Sequence, residues 1–545
     1  MKVTAGDLLS RHSILESDRC NFEALWQRSA SLVLPNQALF QRQQPQQGER
    51  RDNEQFDSTG ALAVERFSAA MESSLTPRTQ QWAELGPAES ELAKDLMIRR
   101  YCEEVNDTLF RYRYAATAGF TTASGEHYQS LGAFGNGCTM VMESAARNGL
   151  RYQAQFLGEM YIALNFQGEI DTAHRCFEYT ARQAFQLFGD GPRGYFRETM
   201  ERRPDTKLEF LHCVKPNEDY DPTKAAKRRP FASYYICKTI QEIVEEGGYF
   251  TMPYVFSRFS TAPRETYGRG PTQTVLNTLN TANEMAKTLL RAGQKAVDPP
   301  LLLPDDDILR GFNLRSGALN YGGVDSMGNA RVQPLVTGAN MPLGLEMQEA
   351  ERRIINDAFY VTLFQVLVDS PTMTATEALL RAQEKGALIA PPMGRQQTEY
   401  LGPMISREID ILERSGLLPP PPPQLLEAGG ELKIEYTAPL NRLQKAEKGV
   451  AISRTLEALA PVAQVNPKVY DRFNMSNIAK TMGEVNGVPA DCMYTDDEMK
   501  EIEGQGAERQ ELGDVLEAAP IAGKVALDLS KAASLSQNAA APVLQ

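Results

Sequence analysis

A chain of 545 residues, 42% hydrophobic and 23% charged, has the make-up of a globular protein of several domains and excludes wholesale disorder. Its formal net charge of −13 argues against a broad basic surface that grips nucleic acid, because neutralising phosphates takes clustered Lys and Arg. The same balance is compatible with a polymer that is surrounded without being held, since an acidic wall repels phosphate and leaves it free to slide. The seven cysteines are dispersed and form no CxxC, which reads as reduced thiols in a cytoplasmic compartment. The first residues lack an apolar signal core, and no window reaches about 18 uninterrupted apolar residues, so neither a secretion peptide nor a membrane span is expected.

In chain order, residues 1–34 are expected to be helical, with Phe22, Leu25, Trp26, Ser29 and Val33 on one face and Pro35 as the stop. Residues 37–54 are Gln- and Arg-rich and read as an exposed loop. The run Asp57-Ser58-Thr59-Gly60 offers cap chemistry for an Ala-rich helix through Ser74, halted at Thr76-Pro77. A further long helix is expected from Ala88 to Thr117. Residues 150–260 alternate apolar and polar side chains around turns, as short strands do, with one helix expected from Ile170 to Phe188. The fold class is therefore α+β.

The middle of the chain carries two helix-like stretches around a turn-rich excursion. In the first, Pro271 to Gly293, a narrow apolar stripe runs through Val275, Leu279, Ala282, Ala286 and Leu289. In the second, Leu343 to Val361, the stripe is Met347, Ala350, Ile354, Ala358 and Val361. Such seams let helices pack lengthwise against neighbours. The opposite faces are polar, and Pro, Gly and Asp dominate the interval from Asp298 to Pro342, so the shape suggested is a stalk carrying a knob. Beyond it, Leu363 to Thr376 is interrupted at Asp369, Ser370 and Pro371. A helix capped by Thr374 closes at Gly386, and another is expected from Arg395 to Ser415, ending at Gly416. The run Pro419 to Pro423 reads as a stiff polyproline spacer, Leu432 to Tyr436 as a strand, and 441–465 and 474–486 as helices joined through Asn466-Pro467. The stretch from Gly504 onward is poor in aromatics and is expected to be mobile.

No pattern marks a catalytic, cofactor or metal site. The glycines at 132, 135 and 137 reverse the order of a dinucleotide loop and fit a turn between a helix and a strand. No G-x-x-x-x-G-K-[ST] occurs, so a P-loop motor core is missing. The four histidines include no HExxH. Asp305, Asp306 and Asp307 lack calcium-loop spacing and read as a solvated tip, and the basic cluster from Lys224 to Arg229 as an exposed charge run.

Several segments, in one collinear order over about residues 20–500, resemble the head-to-tail connector, or portal, proteins of short-tailed bacteriophages. They include Trp26 through Pro35, Phe56 through Gly60 with Ala61 and Ala63, Leu75-Thr76-Pro77, Gln81-Trp82 and Phe134 through Gly137. The order continues with Gly168 through Arg175, Gln183 through Gly189, Arg258, Glu265 through Pro271, and Asp298-Pro299-Pro300. It closes with Ala375-Thr376-Glu377, Arg381, Ala438-Pro439-Leu440, Pro467 and Asp471.

The resemblance implies a ring, typically of twelve copies, at one vertex of a capsid, with double-stranded DNA passing through its channel. It implies a wing at 1–270 and 377–440, stem helices at 271–294 and 343–362, and a clip at 295–342. A tunnel loop at 363–376 (Asp369, Ser370, Pro371 and Thr372), a crown at 441–503 and a tail at 504–545 complete the layout. The partners implied are the terminase large subunit, tail adaptor and nozzle proteins, major capsid and scaffolding proteins, and internal core proteins, with assembly in the host cytoplasm. Neither a membrane nor a cofactor is implied. Lys287, Arg291, Arg352 and Arg353 are the candidates for charged rings in the channel, or for salt bridges between subunits. Val275, Leu279, Ala282, Ala286, Ile354 and Ala358 are the candidates for packing between subunits. Two other classes compete: a metal-dependent nucleic-acid enzyme, which needs clustered carboxylates and a basic groove, and an inner-core or scaffolding virion protein.

Overall fold

Thr4 opens the first helix, α1 (Ala5–Val33): its hydroxyl accepts from the Asp7 N–H while the Asp7 carboxylate accepts from the Thr4 N–H. The computed structural model describes residues 3–41, 48–49, 55–87, 95–144, 148–221, 229–302, 327–335, 341–362, 390–427, 432–436, 451–459 and 473–486, with isolated residues elsewhere. Helix α1 ends one residue before the Leu34-Pro35 stop, and Trp26, Ser29 and Val33 are buried as their spacing predicts. Helix α2 (Thr59–Leu75) follows, with strand β1 (Ala83–Pro87) after it. Helix α3 (Leu96–Arg113) is shorter than the expected 88–117.

Helix α4 (Phe120–Phe134) ends at Gly135, whose φ of 72° lies in the left-handed region that favours glycine. A side chain there would also come within 2.3 Å of the Gly270 nitrogen. Strand β2 (Asn136–Glu143) leaves at once, so the glycine-rich stretch is a turn between helix and strand, as expected. Strands β3 (Leu150–Ala154), β4 (Met160–Leu164) and β5 (Ile170–Thr180) come next, then helices α5 (Ala181–Phe188) and α6 (Tyr195–Arg202). This corrects the helix expected from Ile170 to Phe188: its first eleven residues are strand. They pair with β4 on one side and with β6 (Lys207–Pro216) on the other, and ladder bonds outweigh a weak helical spacing. The helix starts only where Thr180 and Gln183 exchange capping bonds.

Strands β7 (Phe231–Cys237), β8 (Glu242–Tyr249) and β9 (Tyr254–Arg258) complete two antiparallel sheets, ordered β3-β2-β9 and β4-β5-β6-β7-β8. The five-stranded sheet is covered on both faces. Phe177, Leu208 and Phe210 pack with Ala181, Ala184 and Phe196 of α5 and α6, while Leu211, Cys213 and Ile236 pack with Leu8 of α1. Adjacent residues of β6 therefore serve opposite layers. The α1 contact is reinforced by the buried Arg19, which donates to the carbonyls of Leu157, Gly158 and Met160 and lies 3.6 Å from the centre of the Tyr161 ring.

By internal contacts, the chain falls into two units. The first comprises residues 1–84, 105–420 and 434–441, and includes both large sheets. It also holds α7 (Pro271–Thr274), α8 (Leu276–Val297), the two-residue strands β10 (Leu301–Leu302) and β11 (Gln333–Pro334), and α9 (Met341–Ala358). Helix α10 (Gly402–Arg414) lies in the expected 395–415 window and is preceded by a π-helical turn at Gln397–Leu401. It is fixed by ion pairs: Glu408, fully buried, takes the Arg113 guanidinium and the Tyr152 hydroxyl, and Asp410 binds Arg407 and Arg414.

The second unit comprises residues 85–104, 421–433 and 442–545. Its buried described side chains are Leu85, Leu96, Ile98, Cys102 and Leu425. Pro419–Pro422 carry no regular element, and Pro423 opens a short helix, α11 (Pro423–Glu427), instead of extending the spacer, because proline fits a first helical turn. Strand β12 (Leu432–Tyr436) stands where expected. Helix is present at 451–459 and at Met475–Asn486, while the Asn466-Pro467 joint, the helix expected after Thr374 and the stretch from Gly504 onward lie outside the described residues.

Candidate functional site

Helices α8 and α9 form the antiparallel hairpin anticipated from the two stripes. Leu289 of α8 lies against Gly344 of α9, and Met341, which opens α9, approaches Gly293 near the far end of α8. At 22 residues α8 is roughly 33 Å long. Its entry is set by α7, where Gln273 accepts from the Gly270 N–H and Pro271 takes the first helical position.

The hairpin leaves the body at a definite level. In α8, Leu276, Leu279, Ala282 and Asn283 are buried, and no residue of α8 beyond Asn283 is. In α9, no residue before Gln348 is buried, while Gln348, Ile355 and the following Phe359 are. Val275, Leu279 and Ala282 are thus covered by the chain's own fold, Ala282 to 1% exposure, and Ala286 and Ala358 are half-buried. The stripe expected on α9 is turned by one residue: Ile355 faces inward, whereas Met347 and Ile354 are 49% and 50% exposed. With Leu343, also about half exposed, they make an uncovered apolar row, while Leu345, also half exposed, lies on the other side of the helix.

The four basic candidates fall into two pairs. Arg291 and Arg353 are exposed. Lys287 is engaged locally, 3.4 Å from Glu284 and 5.4 Å from the centre of the Phe56 ring. Arg352 donates at 3.0 Å to the Asp57 carboxylate, which is 8% exposed. That carboxylate also accepts from Gln348 at 3.0 Å and, through its other oxygen, from the Thr59 N–H at 2.8 Å. Burial pushes the Asp57 carboxyl up, yet the Thr59 bonds and the Arg352 charge outweigh it and hold its pKa below the ordinary carboxylate value. Asn283 completes the cluster, its side-chain oxygen accepting from the N–H groups of Phe56 and Asp57.

The sequence marks Asp57 as cap chemistry and as part of a segment that carries the family resemblance, but gives no sign of Asn283 and Gln348, since an Asn or Gln on an amphipathic helix carries no mark of burial. The tunnel-loop candidates Asp369, Ser370, Pro371 and Thr372 lie outside the described residues, as do Asp305 to Asp307 and Lys224 to Arg228. Among the described residues, no group of three or more His, Cys, Asp or Glu is placed to hold a metal ion, and no helix is long and apolar enough to cross a membrane.

Motifs that carried the family resemblance are the joints of this architecture. Asn136 donates to the Phe134 and Gly268 carbonyls and accepts from the Gly268 N–H, while Tyr267 accepts from Ile162. Arg258 pairs with Glu399, tying β9 to the turn before α10. The profile of the family described as bacteriophage head to tail connecting protein matches residues 5–494, and the chain belongs to that family. It is 26% identical over 520 residues to the probable portal protein of Bordetella phage BPP-1, covering 92% of this chain and 91% of that one. It is 25% identical over 534 residues to the portal protein of Salmonella phage epsilon15, covering 96% and 95%. Among solved structures, a chain from the neck of an empty GTA particle computed with C6 symmetry aligns at a TM-score of 0.36 and 13% identity, over 76% of this chain and 94% of that one.

Proposed function

We propose that this chain is the portal subunit of a phage and that its copies close into a ring, twelve-fold as the family resemblance implies, at one capsid vertex. Double-stranded DNA passes through the ring in packaging and in ejection. The observation that carries the reading is the projecting hairpin with an uncovered apolar row, in a chain related over nearly its whole length to two portal proteins. In a heterologous ring each copy offers one side of such a rod to the next, and the contact closes on itself. The row Leu343, Met347 and Ile354, with the half-buried Ala286 and Ala358, is the seam in this reading; Val275, Leu279 and Ala282 support it from inside the subunit.

In this layout α8 and α9 are the stem, 295–342 the clip, 363–376 the tunnel loop, 441–503 the crown, and 1–270 with 377–440 the wing. Charge is mixed on the stem. Helix α8 carries Lys287, Arg291 and Lys295 beside Glu284, and α9 carries Glu346, Glu349, Glu351 and Asp357 beside Arg352 and Arg353. A lining of this kind neither binds the duplex tightly nor expels it. Of the four candidates, Arg291 and Arg353 are the side chains we assign to the channel. The sequence carries no P-loop, so packaging energy comes from a separate terminase docking on the clip, with tail adaptor and nozzle proteins following, and capsid, scaffolding and internal core proteins around the wing and crown. End-on electron microscopy and native mass spectrometry of the purified full chain test the proposal: an annular particle of one subunit number is expected, and a chain that stays single at high concentration overturns it.

A further inference from the structure

The segment Phe56 through Gly60 was conspicuous in the sequence, and ring formation alone gives it no task. In the fold it lies at the level where both hairpin helices leave the body. Asn283 of α8 is bonded to the N–H groups of Phe56 and Asp57 at 2.7 and 3.1 Å. Gln348 and Arg352, one turn apart on α9, both donate to the same Asp57 oxygen at 3.0 Å. Gly60 allows the close approach: a Cβ there would stand 2.7 Å from Leu279 of α8 and 3.0 Å from Val33 of α1. The other Asp57 oxygen holds the first turn of α2 through Thr59. One buried carboxylate thus joins α2 to α9, and its own backbone N–H joins it to α8.

Beyond this level the rest of α8, residues 284–297, is an arm of roughly 20 Å without a buried residue. A rotation of about ten degrees at the base would carry its tip several ångströms, so the pose of the arm is decided where the arm is held. We propose that Asp57 is the positioning residue of the hairpin, a single latch that fixes the direction in which α8 and α9 together leave the body. Its use in assembly rests on the portal reading, because the arm's direction then determines where the apolar rows of adjacent copies meet. The latch itself is a property of the single chain.

The test is hydrogen exchange followed by mass spectrometry on the full chain, comparing wild type with Asp57→Ala, Asp57→Asn and Arg352→Gln. Removing the carboxylate takes away its bonds from Thr59, Gln348 and Arg352 and so loosens the turn whose backbone N–H groups hold Asn283, and in Asp57→Ala exchange should rise about tenfold or more in peptides from both 283–297 and 345–358. Peptides from β2 and β6 should be unchanged. Asp57→Asn keeps the one acceptor for Thr59 but sets an amide NH2 opposite the Gln348 and Arg352 donors, so it should loosen α9 nearly as much as Asp57→Ala, while Arg352→Gln, which keeps the carboxylate and its bonds to Gln348 and Thr59, should loosen α9 only partly with little change in α8. Unchanged exchange in both helices of Asp57→Ala overturns the latch. So does a rise of equal size in β2 and β6, which would make Asp57 a general stability residue. Native mass spectrometry of the same samples separates the two claims: a wild type that forms no ring, with the exchange pattern as expected, removes the portal reading and leaves the latch standing.

Discussion

Replacing Ile354 by Asp separates the two apolar faces of the hairpin. Ile354 is half exposed in the single chain, so the change should leave the subunit folded. Burying a whole Ile side chain is worth about 1.5–3 kcal/mol, so covering the remaining half contributes about 1 kcal/mol at each contact between copies. A carboxylate in the same place loses that and adds a desolvation penalty of several kcal/mol. A total of about 3–5 kcal/mol corresponds to a loss of roughly two to four decades in the association constant of each seam. Native mass spectrometry and sedimentation at matched concentration should show monomers and open oligomers, with the circular-dichroism melting curve within a few degrees of wild type. Ala282→Glu is the contrasting control: at 1% exposure it forces a charge into the subunit's own core, and there the melting curve itself should fall. Intact rings of Ile354→Asp at wild-type stability would refute the assignment of this row to the seam.

Glu408→Ala should be among the costliest changes in the body, about 3–5 kcal/mol, because it leaves Arg113 buried beside Tyr152 with no counter-charge; urea unfolding should show it, and joint replacement by Arg113→Met and Glu408→Leu should restore most of the loss. Acid should destabilise the α1 layer. Burial, with Lys238 and Arg19 nearby, lowers His12 to about 4, and burial with His12 close by lowers His174 to about 3. The unfolded chain, titrating near 6.5, then binds more protons than the folded one, so stability falls as pH drops from about 6.5 and levels off only below about 3; melting temperatures at pH 7, 5 and 4 check this, and His12→Phe should flatten the slope. If Arg291 and Arg353 brake the duplex, Arg291→Gln with Arg353→Gln should give particles that package DNA and then lose it, scored by nuclease-resistant genome per particle; normal retention would end the braking idea.

How far the sequence could be read varied with how many jobs a segment has. On α8 the apolar stripe through Val275, Leu279 and Ala282 marks a face that is buried, but periodicity does not say that the chain's own fold buries it. Helix α9 has apolar residues around more than half its girth, with Ile354 beside Ile355, so periodicity alone could not say which faces the body. The structure settles it through a polar residue: Gln348 turns inward because Asp57 accepts its amide. The helix expected over Ile170 to Phe188 fails for a related reason: the ladder bonds of β5 to β4 and to the more distant β6 leave no mark in its own spacing. The turn at Gly135 was legible because its chemistry is local: a helix end, a positive φ and a strand directly after it.

The α9 ambiguity is itself informative. A helix on the surface of a self-sufficient subunit needs one apolar stripe, and a second one, left half exposed, favours association over solubility. Here the inward stripe is satisfied within the chain by Ile355 and Phe359, both fully covered, while the outward row of Leu343, Met347 and Ile354 leaves about half of each side chain in water in a lone subunit. Its cost is offset only if another surface of matching length covers it, and in the proposed ring a copy of the same hairpin is such a surface. Two stripes on one helix therefore divide the work: one builds the subunit and the other is available to build the assembly.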